Sequence, residues 1–200
     1  MRILVIGATG TIGRAVVHAL QPRHEIVSAS HRTSKLTVDI AQPDSIGALL
    51  NSVGTVDAIV SVAGKARMAP LAKLSDEDFQ FCLDNKLMGQ VNVVRLGLPH
   101  VRDGGSITLT SGVLSHTPMI GSAAISLVNA GLEGFIRAAA LEAPRGIRVN
   151  VVSPPWVTET LQAYKMEVPG GGRPAAEVAL VYARAVEGSD TGQTLALPAR

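Results

Sequence analysis

The sequence predicts an α/β protein built on one parallel, doubly wound, seven-stranded sheet with helices on both faces. Three observations predict it. Short apolar runs alternate along the whole chain with longer segments of helical period. The first run, Arg2-Ile3-Leu4-Val5-Ile6, stops at a glycine-rich turn that opens a helix. Hydrophobic residues make up 46% of the chain and aromatic ones only 3%, so the core must be small and aliphatic, as helices laid on a sheet require. With 200 residues, the expectation is one domain over residues 1–200, of the Rossmann type.

Residues 2–6 read as a buried parallel strand, apolar throughout because both faces are covered. Ile12, Ala15, Val16 and Ala19 share one face of the next helix, and Pro22 ends it. Residues 25–29 and 36–39 are the second and third strands. Pro43-Asp44 opens a helix to about residue 51, and residues 56–60 are the fourth strand, ending at Ser61-Val62-Ala63-Gly64. A long helix is expected over residues 75–100, with Ser75 at its start and Asp76, Glu77 and Asp78 placing negative charge in its first turn. Residues 106–111 are the fifth strand, 120–143 a helix, and 146–152 the sixth strand. Pro154-Pro155 breaks the chain, residues 162–173 read as a loop, 174–187 as the last helix and 193–197 as the last strand.

Composition narrows the function. A net charge of +2 with no long basic run gives no footprint for nucleic acid. The lone cysteine, Cys82, excludes an internal disulfide framework and reads as a buried small hydrophobe in a reducing compartment. No apolar run approaches the roughly 18 residues of a membrane span. The N-terminal run ends at Gly7, too early for a signal sequence. The expectation is a cytoplasmic protein with no membrane partner. No Cys, His and Asp cluster has ligand spacing, so no metal is expected.

The turn Gly7-Ala8-Thr9-Gly10-Thr11-Ile12-Gly13 follows a strand and opens a helix, which is where a dinucleotide's pyrophosphate binds. Glycine allows the tight turn and the close approach of backbone to phosphate. The alternative is a structural turn with no ligand. After the second strand the chain reads Ser30-His31-Arg32-Thr33-Ser34, with no carboxylate to accept the adenosine ribose hydroxyls of NAD. Arg32 can pair with a 2′-phosphate, and Thr33 and Ser34 can donate to it, so NADP(H) is expected ahead of NAD. Otherwise Arg32 meets only water.

These segments resemble the short-chain dehydrogenase/reductase family over nearly the whole chain. Residues 7–13 match that family's cofactor turn, with the middle glycine one place early. Asp39-Ile40 looks like the pair that holds the adenine. Ala63-Gly64 agree with the end of the Asn-Asn-Ala-Gly motif. Asn85 falls where the family keeps an active-site asparagine, and Ser111 where it keeps the catalytic serine. The segment Val151-Val152-Ser153-Pro154-Pro155-Trp156-Val157 is similar to the Pro-Gly segment, with Pro155 for the glycine. Thr191-Gly192-Gln193 resembles the entry to the last strand. The resemblance thus implies cofactor contacts from the glycine turn, His31, Arg32, Thr33, Asp39, Ile40, Ala63, Gly64, Asn129, Pro154 and Val157.

The family's Tyr-x-x-x-Lys is missing. Asn129-Ala130-Gly131-Leu132-Glu133-Gly134-Phe135 aligns with the stretch that begins at the lysine, placing Asn129 at the lysine and Ile125 at the tyrosine. The resemblance implies that this tyrosine exchanges a proton with the substrate oxygen while hydride moves to or from nicotinamide. Ile125 has no proton to move, and a positioned acid or base contributes about 10²–10⁴ in rate. His116 and Tyr164 are the candidate substitutes; their plain readings are a loop histidine and a lid residue. Tyr182 reads as packing or surface. Lys65 and Arg67 contact the cofactor or simply face water.

Three functions stay open: an NADP-dependent oxidoreductase of a carbonyl or alcohol with a different proton donor, a non-catalytic dinucleotide sensor or assembly subunit, or another reaction at the same site. Fold does not choose among them. Val91, Val94, Leu98, Ala123, Leu127, Ala130, Phe135 and Ala138 give two helices more apolar surface than one sheet face covers, so a homodimer or homotetramer is expected.

Overall fold

The structure is a computed structural model that describes residues 1–198, so the last two residues of the expected domain lie outside the described residues. Its strands are β1 (Arg2–Ile6), β2 (Glu25–Ser30), β3 (Leu36–Thr37), β4 (Val56–Ser61), β5 (Val101–Thr110), β6 (Arg148–Val152) and β7 (Thr194–Leu195). They form one sheet in the order β3-β2-β1-β4-β5-β6-β7, parallel throughout. The helices are α1 (Thr11–Leu20), α2 (Pro43–Val53), α3 (Asp76–Cys82), α4 (Gly89–Gly97), α5 (Ala123–Glu142), α6 (Thr158–Tyr164) and α7 (Ala175–Glu187).

Alternation across each strand divides the core in two. Leu4 and Ile6 point into a core closed by α2, α4 and α5, whereas Ile3 and Val5 point into one closed by α1 and α7. Burial on both faces is why Ile3, Leu4, Val5 and Ile6 read as an unbroken apolar run after the half-buried Arg2. The chain steps outward from β1 to β3 and then returns to lay β4 on the other side of β1. Strand order therefore reverses between β1 and β4, and their carboxyl ends frame a crevice there.

The expected long helix over 75–100 is not continuous. It begins as read: Ser75 Oγ accepts from the Asp78 amide at 3.3 Å, and the Asp78 carboxylate accepts from the Ser75 amide at 3.2 Å. But α3 stops at Cys82, Leu83–Met88 is a π-helix, and α4 follows before a 3₁₀ turn, Leu98–His100. A π turn takes up an extra residue and rotates the side chains that follow. Residue type does not reveal this, because Leu83, Leu87 and Met88 within the segment suit an α-helix as well as a π-helix.

Other boundaries moved for local reasons. β5 starts at Val101 rather than residue 106, with its register to β4 irregular between Val56 and Ala58. Gly104 and Gly105, outside the expected strand, sit inside it, and Gly105 lies against the Asp57 carbonyl with no room for a side chain. Part of the expected 162–173 loop belongs to α6, whose Glu159 accepts from the Ala175 amide at 3.0 Å and so ties α6 to the start of α7. β3 and β7 are two-residue edge strands, shorter than the sequence suggested.

The sequence also gave no membrane-length apolar segment, whereas α5 has 20 residues with mean hydropathy 1.3 over its most apolar window, enough to span by length and composition. Its Leu132 and Ile136 are fully buried in the sheet core, and a third of that window is buried in all.

Candidate active site

The glycine turn is built as its sequence requires. Gly7 has φ +89°, and a side chain on it would run into the Val62–Ala63 backbone at 2.9 Å. A side chain on Gly13 would overlap the Gly7 carbonyl, so α1 can start close beneath β1 only with glycine there. The amides of Gly7 and Ala8 are spent on the Ala29 carbonyl, at 2.8 and 3.1 Å. Those of Thr11, Ile12 and Gly13 stand at the positive end of the helix dipole, ahead of the first helical bond, from the Arg14 amide to the Gly10 carbonyl at 2.9 Å.

A cavity of about 790 Å³ opens over this turn. Gly7, Thr9 and Gly10 form one side, His31, Asp39 and Ile40 a second, and Ala63, Gly64, Lys65 and Arg67 a third. Thr33 Oγ1 donates to Thr9 Oγ1 at 2.8 Å, pinning the loop after β2 onto the glycine turn. One Asp39 oxygen accepts the Ala41 amide at 3.0 Å. Arg67 lies over the Phe81 ring, 4.8 Å from its centre, and pairs with Asp78 at 3.4 Å. Basic groups therefore line a wall that the sequence left as a solvated loop.

A second cavity, about 300 Å³, adjoins the first at Val62, Ala63 and Gly64. Ile12, Pro154, Trp156, Val157 and Ile125 make it apolar, and Ser111, Gly112, Asn129 and Lys86 supply its polar wall. Asn129 is almost fully buried; its Nδ2 donates to the Gly112 carbonyl at 3.2 Å, while its Oδ1 has no partner among the described residues. Three other buried side-chain atoms are unpartnered, on His24, Ser61 and Thr108, and none of them lines a cavity described here. An orphaned acceptor in a ligand-sized cleft fits a ligand hydroxyl.

Lys86 was missed by the sequence reading. It sits in the π segment, its stem packed on Gly64, where a side chain at φ +139° would meet Lys86 Cγ at 3.2 Å. Its Nζ donates to the Ser111 carbonyl at 3.1 Å, and desolvation by burial pushes its pKa down from 10.5 to about 8. Gln90, one turn further on, holds the end of β5 by a two-point amide bond to the Thr110 amide and carbonyl, 2.7 Å each. The only sequence signal was a lone cation beside Asp84 and Asn85, with Leu83 and Leu87 on either side.

A family model described as enoyl-(acyl carrier protein) reductase matches residues 11–197. The chain belongs to the short-chain dehydrogenase/reductase family. The protein lin1944 from Listeria innocua has the same fold at TM-score 0.96, with 38% identity over 99% of this chain and 100% of that one. A small-chain dehydrogenase in complex with NADPH superposes at TM-score 0.87, with 25% identity over 98% of this chain and 96% of its own. Among curated relatives, the Escherichia coli oxidoreductase UcpA is 29% identical over 66% of this chain, which spans 54% of its length. Carbonyl reductase family member 4 of Xenopus tropicalis is 29% identical over 76% of this chain and 74% of its own length.

On this short-chain dehydrogenase/reductase frame, the sequence candidates divide. Gly7, Thr9 and Gly10 of the glycine turn, with His31, Asp39, Ile40, Ala63 and Gly64, line the larger cavity, and Ile12, Asn129, Pro154 and Val157 the smaller, whereas Thr11, Gly13 and Thr33 line neither. Arg32 is exposed and belongs to neither wall. Asn85 faces the larger cavity, where its Oδ1 accepts the Lys65 amide at 2.6 Å. Its neighbour Lys86 faces the smaller one. Ser111 lines the smaller cavity, yet its hydroxyl donates to buried Glu133 Oε1 at 2.9 Å. His116 is not brought to this wall: it pairs with Glu133 at 2.6 Å and lines a third cavity with Arg173 and Gly171. Tyr164 is 73% exposed at the end of α6. Tyr182 is fully buried, donating to Thr110 Oγ1 at 2.7 Å, and burial raises its pKa, so it is packing and not surface. Among the described residues no group of three or more His, Cys, Asp or Glu could hold a metal ion.

Proposed function

We propose that this chain is an NADPH-binding short-chain oxidoreductase that interconverts a small apolar carbonyl compound and its alcohol. The observation that carries the reading is the junction of the two cavities at Val62–Gly64, with the glycine cradle in one and the unpartnered Asn129 Oδ1 in the other. When bound, the nicotinamide group supplies or removes hydride at the substrate carbon. The residues present fit that group. The first-turn amides of α1 hold the diphosphate. Asp39 and Ile40 flank the adenine end. Asn129 accepts from a ribose hydroxyl, taking by hydrogen bonding the place of the family's lysine. Ile125, Trp156 and Val157 exclude water from the substrate end.

Preference for NADPH over NADH is supported by the lack of a carboxylate in residues 30–34 and by His31 on one side of the larger cavity and Lys65 and Arg67 on another. Self-association through α5 is part of the same reading. Ala123, Leu127, Ala130, Ala138 and Leu141 remain exposed on that helix, whereas Val91 and Val94 are already covered within the chain.

A panel of small ketones and aldehydes assayed with NADPH and with NADH tests this. Turnover at least about tenfold faster with NADPH is expected, which corresponds to roughly 1.4 kcal/mol of discrimination. Tight NADPH binding with no turnover of any carbonyl would instead favour a non-catalytic dinucleotide-binding protein.

A further inference from the structure

We propose that Lys86 is the proton donor and acceptor of this site, delivering from Nζ the proton that a reduced carbonyl oxygen requires. The proposal rests on the oxidoreductase reading above.

Elimination comes first. Of the side chains that line the smaller cavity, Lys86 alone ionises near neutral pH; the others are aliphatic residues, glycines, prolines, Trp156, hydroxyls and the Asn129 amide. Two of the three hydroxyls are committed: Thr110 Oγ1 donates to the Ser61 carbonyl at 2.6 Å, and Ser111 Oγ to Glu133. Thr160 does not give up its proton in this range. Acid and base chemistry in this cavity therefore falls to one nitrogen.

Position comes second. The bond to the Ser111 carbonyl uses one of three ammonium protons. The next carbonyl along the chain, that of Gly112, holds the Asn129 amide. Consecutive carbonyls at the end of β5 thus fix an amine and a ribose-binding amide side by side. The one-residue excess of the π segment points Asn85 into the cofactor cavity and Lys86 into the substrate cavity. Gly64 leaves the space that the lysine stem fills.

Electrostatics is consistent with the role. No carboxylate pairs with Lys86 among the described residues. The titratable groups around it are Cys82 at the end of α3, whose influence raises its pKa, Lys65 in the loop after β4, and Glu133 of α5, which lies beyond Ser111. Desolvation outweighs the thiol and holds the amine at about 8. It is then mostly protonated at neutral pH and still able to release the proton.

The step balances. An N–H bond of Lys86 breaks and an O–H bond forms on the former carbonyl oxygen. The nitrogen keeps the N–H electron pair, and the carbon's two electrons come with the nicotinamide's hydride. Water then reprotonates the neutral amine. Alcohol oxidation runs the same transfer backwards, with neutral Lys86 as base.

Lys86→Met and Lys86→Arg, each in the full chain, test it. NADPH binding is followed by fluorescence. The wild-type amine is titrated by limiting acetic anhydride labelling read by peptide mass spectrometry, which needs no activity. We expect the amine to titrate near 8. Reduction should fall as pH rises through that value, and both variants should lose about 10²–10⁴-fold in turnover while still binding NADPH. Arginine keeps the charge but does not release a proton, so its failure separates a relay from a mere cation. Wild-type-like turnover by Lys86→Arg, or an amine that titrates as an ordinary exposed lysine, overturns the relay. If wild type reduces no carbonyl, the oxidoreductase reading fails and the relay with it. If wild type is active and Lys86→Met matches it, the relay alone fails.

Discussion

The amine of Lys86 donates to the carbonyl oxygen of Ser111 at 3.1 Å, from a π-helical segment that crosses behind the end of β5. The contact places a cation from one helix beside an amide, Asn129, from another. In the family this chain resembles, a single helix is expected to carry both the proton donor and the charge. Ile125 and Asn129, which the sequence reading aligns with those positions, both line the cavity, and the charge there comes from Lys86 on another helix.

Asn129→Leu separates ligand binding from folding. The substitution removes one hydrogen bond, worth about 1 kcal/mol, and at the same time removes a buried unpaired carbonyl oxygen. Unfolding free energy should stay within about 1 kcal/mol of wild type. NADPH affinity should weaken about tenfold, roughly 1.4 kcal/mol. Chemical denaturation and a fluorescence titration on the same sample check both halves.

Lys86→Met should stabilise the protein at neutral pH while disabling it. A folded-state pKa near 8, below the 10.5 of the free side chain, means that folding strains the charged form. That cost is fully present below pH 8. Between 8 and 10.5 the unfolded chain binds a proton here that the folded chain does not, so stability rises with pH through this group. Denaturation curves at neutral and alkaline pH should show that wild type gains on Lys86→Met as pH rises. A constant difference between the two proteins would count against it.

Glu133 and His116 should behave very differently when replaced. Glu133 is 3% exposed and accepts from Ser111 at 2.9 Å, Ser115 at 2.6 Å and His116, so it braces the turn after β5. Glu133→Gln should cost about 3 kcal/mol, because a buried carboxylate loses partners it was built for. His116 has a side chain 65% exposed, and His116→Ala should cost less than about 1 kcal/mol. Since His116 faces another cavity, its loss should leave turnover within a few fold. A collapse in turnover without loss of NADPH binding would return it to the candidate acids.

Leu127→Glu should shift the oligomeric state. Leu127 is half exposed on the outer face of α5, amid exposed alanines. A buried charge there opposes association. Light scattering at micromolar concentration should find wild type larger than a monomer and the variant monomeric. A monomeric wild type would refute the assembly through α5.

Much of this was legible in the chain. The glycine turn and the strand-end placement of Ala63-Gly64 follow from local pattern and register. What stayed hidden was non-local. A π insertion at Leu83–Met88 shows in the backbone and not in residue type, so Asn85 was expected where Lys86 stands. Ser111 was read as the last residue of its strand and lies one residue past it, and the direction of its hydroxyl depends on Glu133, 22 residues away. His116 looked close to the site because sequence distance says nothing about which side of a turn a side chain leaves. Arg32 suited a phosphate by type, while Lys65 and Arg67 reached the wall through the fold.

The most direct test of the account uses Trp156, the chain's single tryptophan, which lines the substrate cavity. A dihydronicotinamide ring bound beside Asn129 should accept its excitation, so titration with NADPH should quench Trp156 emission to saturation. NADH should do so only at higher concentration. No saturable change with either dinucleotide would contradict the central claim that the two joined cavities hold one cofactor.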